Sequence, residues 1–240
     1  MLPQRSARVI AIVLAAALTG GAAHAGRAPV VVIDPGHNAR PNLGTEPIGP
    51  GSPVRKVKDG GGSHGVVTGT PEAVVALDVG LRLRRLLEEE GVRVVMTRTR
   101  TGGISMGNVV RAEIANRAHA ALFLRIHADG SPSRAVHGTH TLYPALRRGW
   151  TSDIYARSRR AAMLVQRAVV QALGSRDLGL DKRSDITGFN WANVPAILVE
   201  LGFLTNPRED RLLATASYRE RAARGLCRGT LSFLGRRGTC

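Results

Sequence analysis

Val30-Val31-Val32-Ile33-Asp34-Pro35-Gly36-His37 is the stretch on which the architecture turns. Four consecutive β-branched residues favour extended backbone, where a branched Cβ packs well on a pleated surface. The run is apolar at every position rather than at alternate ones, which marks a buried strand, and Pro35-Gly36 closes it with a turn. The first polar side chain beyond that turn is His37.

The same pattern recurs outward along the chain. Residues 38–70 are rich in Gly and Pro, contain Gly60-Gly61-Gly62 and the charged run Arg55-Lys56-Val57-Lys58, and read as one long loop. Loops of that length in a compact domain are functional or mobile. Thr70 is a candidate N-cap and Pro71 suits the first helical position. The stretch from Glu72 to Glu90 then sets Val75, Val79, Leu83, Leu86 and Leu87 at helical spacing before Gly91 stops it. Further strands are expected at Val92 to Met96, Ala121 to Ile126 and Ala196 to Val199, with a strand-like segment, part of a hairpin, at His137 to Tyr143. Helices are expected from Asn108 to His119, from a cap at Ser152 to Gly174, and at the C-terminus with a break near Ser217. Strands alternating with helices predict a single α/β domain, a twisted, mostly parallel sheet flanked by helices. Ligands in such folds bind at the carboxyl ends of the strands.

Composition narrows the function. The chain has 240 residues, 34 Lys+Arg against 18 Asp+Glu, and a net charge of +16. With 43% hydrophobic and 22% charged residues it is not a disordered chain. Aromatics are only 4%, too few for a single-strand binder that stacks bases, so nucleic acid is not the expected partner. Arg5 and Arg8 precede an apolar run from Val9 to Leu18, followed by Ala23-His24-Ala25. These are the three parts of a secretory signal at 1–25, leaving a mature domain at 26–240. The run falls short of the about 20 residues that span a bilayer, so no stable membrane insertion is expected after cleavage. Losing Arg5 and Arg8 lowers the charge from +16 by two, to +14, on a protein expected in the periplasm, wall or extracellular space. There the positive charge serves retention and encounter with acidic envelope polymers. Cys227 and Cys240 are the only thiols. Export permits them to pair; otherwise Cys227 is a small core residue and Cys240 part of a loose tail.

Three polar residues sit just beyond apolar strands: His37, His127 and Glu200. Glu72 stands in the first turn of a helix that follows the Gly-rich loop. Two imidazoles and a carboxylate are a ligand set for zinc with an open position for water, and a second carboxylate can shuttle the proton. Each also has an ordinary reading, as a hydrogen-bonded histidine or as a glutamate stabilised by a helix dipole. Glu200 resists it most, because a carboxylate between Val199 and Leu201-Gly202-Phe203 needs a partner or a raised pKa. His64, His119, His137 and His140 are weaker candidates.

The ordered blocks Ile33-Asp34-Pro35-Gly36-His37, Gly69-Thr70-Pro71-Glu72, Val95-Met96-Thr97-Arg98, Arg111 with Ala115-Asn116, Ile126-His127-Ala128-Asp129 and Pro195 to Asn206 carry a family likeness. The chain resembles the zinc-dependent N-acetylmuramoyl-L-alanine amidases of the bacterial Amidase_3 type, in their short, single-domain actinobacterial form. The resemblance implies one zinc ion per chain on His37, Glu72 and His127, and a catalytic Glu200. It implies hydrolysis of the amide between the lactyl group of N-acetylmuramic acid and L-alanine in peptidoglycan or muropeptides, by a monomer. Two positions depart from the family pattern: Asn38 replaces a usual second glycine, and Arg125 stands where a serine is usual. Arg125 is then a candidate substrate contact on the metal rim, or a salt-bridged residue, and Asn116 a second candidate. Asp34 is either an acceptor that orients His37 or, preferably, a turn residue before Pro35. The competing readings are a zinc peptidase acting within the stem peptide, a basic non-catalytic wall-binding protein, and an iron oxygenase suggested by His127-x-Asp129.

Overall fold

The computed structural model describes residues 28–240. The signal sequence expected at 1–25 lies outside the described residues. In chain order the elements are β1 (Val30–Pro35), β2 (Asn42–Pro47), β3 (Arg55–Asp59), α1 (Glu72–Glu89), β4 (Arg93–Met96), α2 (Asn108–Arg117), β5 (Leu122–Asp129) and β6 (Thr139–Pro144). They continue with α3 (Tyr155–Leu173), β7 (Asp177–Arg183), α4 (Thr187–Asn190), β8 (Ala196–Phe203), α5 (Pro207–Leu213) and α6 (Ala216–Phe233).

Six strands form one sheet in the order β4-β1-β5-β8-β6-β7. β4, β1, β5 and β8 run parallel. β6 runs antiparallel to β8 and parallel to β7. Successive side chains of a strand point to opposite faces, and each face has its own core. Val31 and Ile33, Leu122 and Leu124, and Ile197 and Val199 pack under the apolar stripes of α1, α3 and α6. Val32, Phe123 and Leu198 face α2 and α4. Fully burying one such side chain is worth about 1.5–3 kcal/mol, which is why residues 30–33, 122–124 and 196–199 are apolar at successive positions.

The structure revises several local expectations. Residues 38–70 are not one open loop, since β2 and β3 pair antiparallel as a hairpin docked on α2 and α4. Glu46 accepts from the backbone N–H of Asn108 at 2.7 Å, and Asn108 Nδ2 donates to the carbonyl of Lys58 at 2.6 Å. Trp191 Nε1 donates to the Pro47 carbonyl at 2.9 Å. β7 lies in a stretch to which the sequence pattern assigns no element, and it pairs parallel with β6 in place of the expected hairpin. Glu72, not Pro71, is the first residue of α1, and Thr70 does not cap it. Ser152 does not cap α3 either; Ile154 is the residue before it, and left-handed Gly174 ends it. The break between the last helices falls at Ala214-Thr215, where the Thr215 side chain caps α6 by accepting from Tyr218 N–H. Cys227 of α6 and the terminal Cys240 form a disulfide. Among the described residues no helix is long and apolar enough to cross a membrane.

Candidate functional site

Strand register assembles the site. β5 aligns His127 with Glu200 of β8, and β8 aligns Glu200 with His140 of β6. The row His127–Glu200–His140 therefore crosses three adjacent strands on one face. One step back, Arg125, Leu198 and Leu142 form the preceding row, after which the face becomes the apolar core around Phe123. His127 and Glu200 thus lie within their strands, toward the carboxyl ends, and not in the turns after them. Both strands run on past the polar residue because the ladder continues to Asp129 and Phe203.

His37, Glu72 and His127 converge from the turn after β1, from α1 and from β5, with one donor atom from each within 4.8 Å of the others. Glu72 Oε1 lies between the rings, 2.8 Å from His127 Nδ1 and 3.3 Å from His37 Nε2. Its carboxylate is fixed by backbone donors, Ser63 N–H to Oε2 at 2.9 Å and Ala128 N–H to Oε1 at 3.2 Å. His37 sits in the left-handed region at φ 54°, a conformation uncommon outside glycine and concentrated at functional sites. Gly36 makes the close approach possible. A Cβ there would lie 2.6 Å from His127 Nδ1.

The second nitrogen of His37 is held by a residue the sequence did not single out. Asp59, at the end of β3, lies 2.6 Å from His37 Nδ1 and accepts from Gly61 N–H. A carboxylate on the far nitrogen of a histidine fixes ring orientation and tautomer in metal sites. Burial opposes a charged His37, but the bonds to Asp59 and Glu72 outweigh it and raise the imidazole to about 9. Asp59 is depressed to about 2: burial pushes it upward, and the pairing with His37 overcomes that. Burial likewise opposes ionised Glu72, yet the two histidines hold it well below the usual carboxylate range. His127 is pushed down, by burial first. Its Nε2 is buried without a partner, as is Glu200 Oε2. A buried set of two imidazoles and a carboxylate, with polar atoms still unsatisfied, is the donor chemistry a metal ion would satisfy.

Asp34 takes neither role expected of it. Fully buried, it ion-pairs with Arg111 and Arg125, the latter through Nε to Oδ2 at 2.8 Å, and accepts from the Thr97 hydroxyl at 2.6 Å. Two guanidinium charges outweigh its burial and hold it far below the carboxylate range. The departure at Arg125 is thereby explained: its charge is matched by Asp34, and its Nη2 donates to Asn108 Oδ1 at 2.6 Å. Arg98 donates to the carbonyls of Pro35, Gly36 and Ala73, tying the turn after β1 to α1. Asn116 lies elsewhere, binding the backbone of Trp191 and Asn193.

His37, Asp59, His127 and Glu200, with Arg111 and Arg125, line a cleft of about 300 Å³. Lys56 and Lys58 of the hairpin, with Arg183 and Asp185, form its outer wall. Glu200 is 8% exposed at its floor. Burial raises its pKa well above the usual range, and the negative charges of Glu72 and Asp129 add to this. His140 lines the cleft as well. Sequence reasoning set it aside with the other histidines, and period-two alternation with Leu142 was the signal that could have placed it.

The Amidase_3 family, described as N-acetylmuramoyl-L-alanine amidase, matches residues 31–232. The chain is 33% identical over 216 residues to an N-acetylmuramoyl-L-alanine amidase of Mycobacterium tuberculosis, covering 87% of this chain and 88% of that protein. It is 27% identical over 241 residues to the amidase AmiA of Escherichia coli, covering 85% and 75%. The crystal structure of an N-acetylmuramyl-L-alanine amidase from Mycobacterium smegmatis superposes with a TM-score of 0.77 at 30% identity, covering 86% of this chain and 97% of that one.

Proposed function

The chain belongs to the Amidase_3 family of N-acetylmuramoyl-L-alanine amidases, and from that premise we propose that it is an exported, zinc-dependent enzyme that turns over peptidoglycan or muropeptides with His37, Glu72 and His127 as metal ligands and Glu200 as the acid–base residue. The bond cleaved joins the lactyl carbonyl of N-acetylmuramic acid to the nitrogen of L-alanine. The observation that carries the assignment is the row in which Glu200 stands beside His127, one strand from the His37–Glu72–His127 cluster.

Zinc, when bound, polarises a carbonyl and lowers the pKa of a coordinated water to about 7. The protein supplies the rest. Asp59 holds His37 by its Nδ1, so that Nε2 faces Glu72. Glu200 takes a proton from the attacking water and delivers it to the nitrogen of L-alanine as the C–N bond breaks. A buried carboxyl with a raised pKa suits that task, since it must hold a proton between the two transfers. The basic outer wall attracts the anionic stem peptide and envelope polymers.

The test is digestion of a purified N-acetylmuramoyl-peptide with product identification by mass spectrometry. A new free amine on L-alanine, abolished by chelation and restored by zinc, is the expected result. Any other new terminus, or activity that resists chelation, overturns the assignment.

A further inference from the structure

Glu200 has a second histidine beside it, with no task in the reaction described so far. On the antiparallel β8/β6 pair His140 stands directly opposite Glu200, where Cβ atoms are about 4.5–5.5 Å apart. Both line the cleft. The His140 ring is clamped: it stacks on Phe203 with centroids 5.7 Å apart and planes at 18°, and its Nε2 lies 3.7 Å from Asp129 Oδ2. The carboxylate beside Nε2 favours the tautomer protonated there, leaving a lone pair on Nδ1. That Nδ1 is buried and has no hydrogen-bond partner, and the same holds for Glu200 Oε2. Buried polar atoms are normally satisfied. Two unsatisfied ones on facing residues in a cleft are complementary to one polar group of a ligand.

We propose that His140 is a substrate-contacting residue whose Nδ1 accepts a hydrogen bond from the scissile amide N–H and then from the departing L-alanine amine. This rests on the amidase reading above and deepens it. The order along the row makes the assignment. The ligand cluster stands at the His127 end, Glu200 in the middle and His140 beyond it. A carbonyl held at the cluster places the amide nitrogen at Glu200 and the leaving peptide on the His140 side. As the C–N bond breaks, the proton carried by Glu200 passes to that nitrogen while His140 Nδ1 keeps hold of its N–H. Burial pushes the His140 imidazole below the usual histidine range, against Asp129 and Asp181 and together with Arg183. Burial thus favours the neutral ring, in which Nδ1 is an acceptor.

Zinc-loaded wild type, His140→Ala, His140→Asn and His140→Gln are compared in three measurements: zinc content, kcat and KM on an N-acetylmuramoyl-L-alanyl peptide, and calorimetric binding of the free L-alanyl peptide. Asn carries its amide near the Nδ1 position and Gln near Nε2. All variants should keep their zinc. The Ala variant should lose about 10- to 100-fold in kcat, Asn should recover part of it, and Gln should not. The peptide with a free amine should bind the Ala variant about tenfold more weakly than wild type, and so should its N-acetylated form, which keeps one N–H, whereas the N-acetyl-N-methyl form, which has none, should bind both equally. Wild-type kcat and peptide affinity in the Ala variant, or loss of zinc from it, overturns the proposal. If wild type releases a terminus other than L-alanine, the amide-bond assignment falls, and the binding comparison still decides whether His140 holds the amine.

Discussion

Asp59 Oδ1 lies 2.6 Å from His37 Nδ1, joining the end of the β2–β3 hairpin to a left-handed residue just beyond β1. The hairpin is therefore part of the site. Asp59→Ala frees the ring of His37 to rotate and removes the charge that favours its metal-ready tautomer. Zinc affinity should fall about 10- to 100-fold with the fold intact, as read by competition with a chromophoric chelator. An unchanged affinity would mean that His37 is oriented by its backbone alone.

Gly36 has no room for a side chain against His127. In Gly36→Ala the methyl group must displace the imidazole, because the backbone is held by Gly36 N–H to the Ile126 carbonyl at 2.9 Å. Zinc affinity and turnover should both drop at least about tenfold while far-UV circular dichroism stays native. Full zinc affinity would show that the turn yields instead.

Glu200→Gln keeps the shape of the side chain and removes its proton chemistry. The variant should bind zinc as wild type does and lose about 10²- to 10⁴-fold in kcat. Steady-state assays paired with metal analysis decide it, and near-normal turnover would remove Glu200 from the mechanism.

Asp34 is the one carboxylate shared by two buried arginines. Asp34→Asn leaves those charges uncompensated and should cost about 3–5 kcal/mol in urea denaturation. The acid dependence follows from its lowered pKa. Near pH 4 the unfolded chain binds a proton that the native chain does not, so stability rises with pH there. The contribution of Asp34 is complete above the unfolded value of about 3.9 and is lost as pH falls through the lower native one. The midpoint of wild type should therefore fall more steeply below about pH 4 than that of the variant. Parallel pH profiles would remove Asp34 as the cause.

Cys227 and Cys240 close a loop with a sequence separation of 13. Reducing the bond, or Cys240→Ser, should lower stability by about 2–4 kcal/mol, with little effect on turnover because the bond lies in α6 and the tail. Thermal melts with and without reductant measure it, and coincident melts would show that the tail is held without the bond, by contacts such as Arg224 Nη1 donating to the Cys240 carbonyl at 2.7 Å.

The fold class and three of the four central residues were conspicuous in the sequence for a local reason, whereas Glu72 joined them through the family resemblance. β1, β5 and β8 are covered on both faces, so the chain records them as apolar runs, and a polar residue within such a run is conspicuous. His127 and Glu200 stand out in this way, as does His37 after the turn. The hairpin was not legible: Asn42–Pro47 and Arg55–Asp59 carry Gly, Pro and charge instead of an apolar alternation, because their pairing is stabilised by docking onto α2 and α4 and not by a core of their own. Asp59 went unseen with it.

The sequence by itself determined an α/β sheet, an order of motifs, and a set of chemically capable residues. Only the tertiary structure decided which of them meet. Register placed His127, Glu200 and His140 in one row, and a distant hairpin brought Asp59 to His37. The Asp34 charge went to Arg111 and Arg125 rather than to His37. Periodicity reports burial along one strand, whereas ion pairs and cross-strand neighbours depend on which strands lie side by side, and that is fixed by packing of the whole chain.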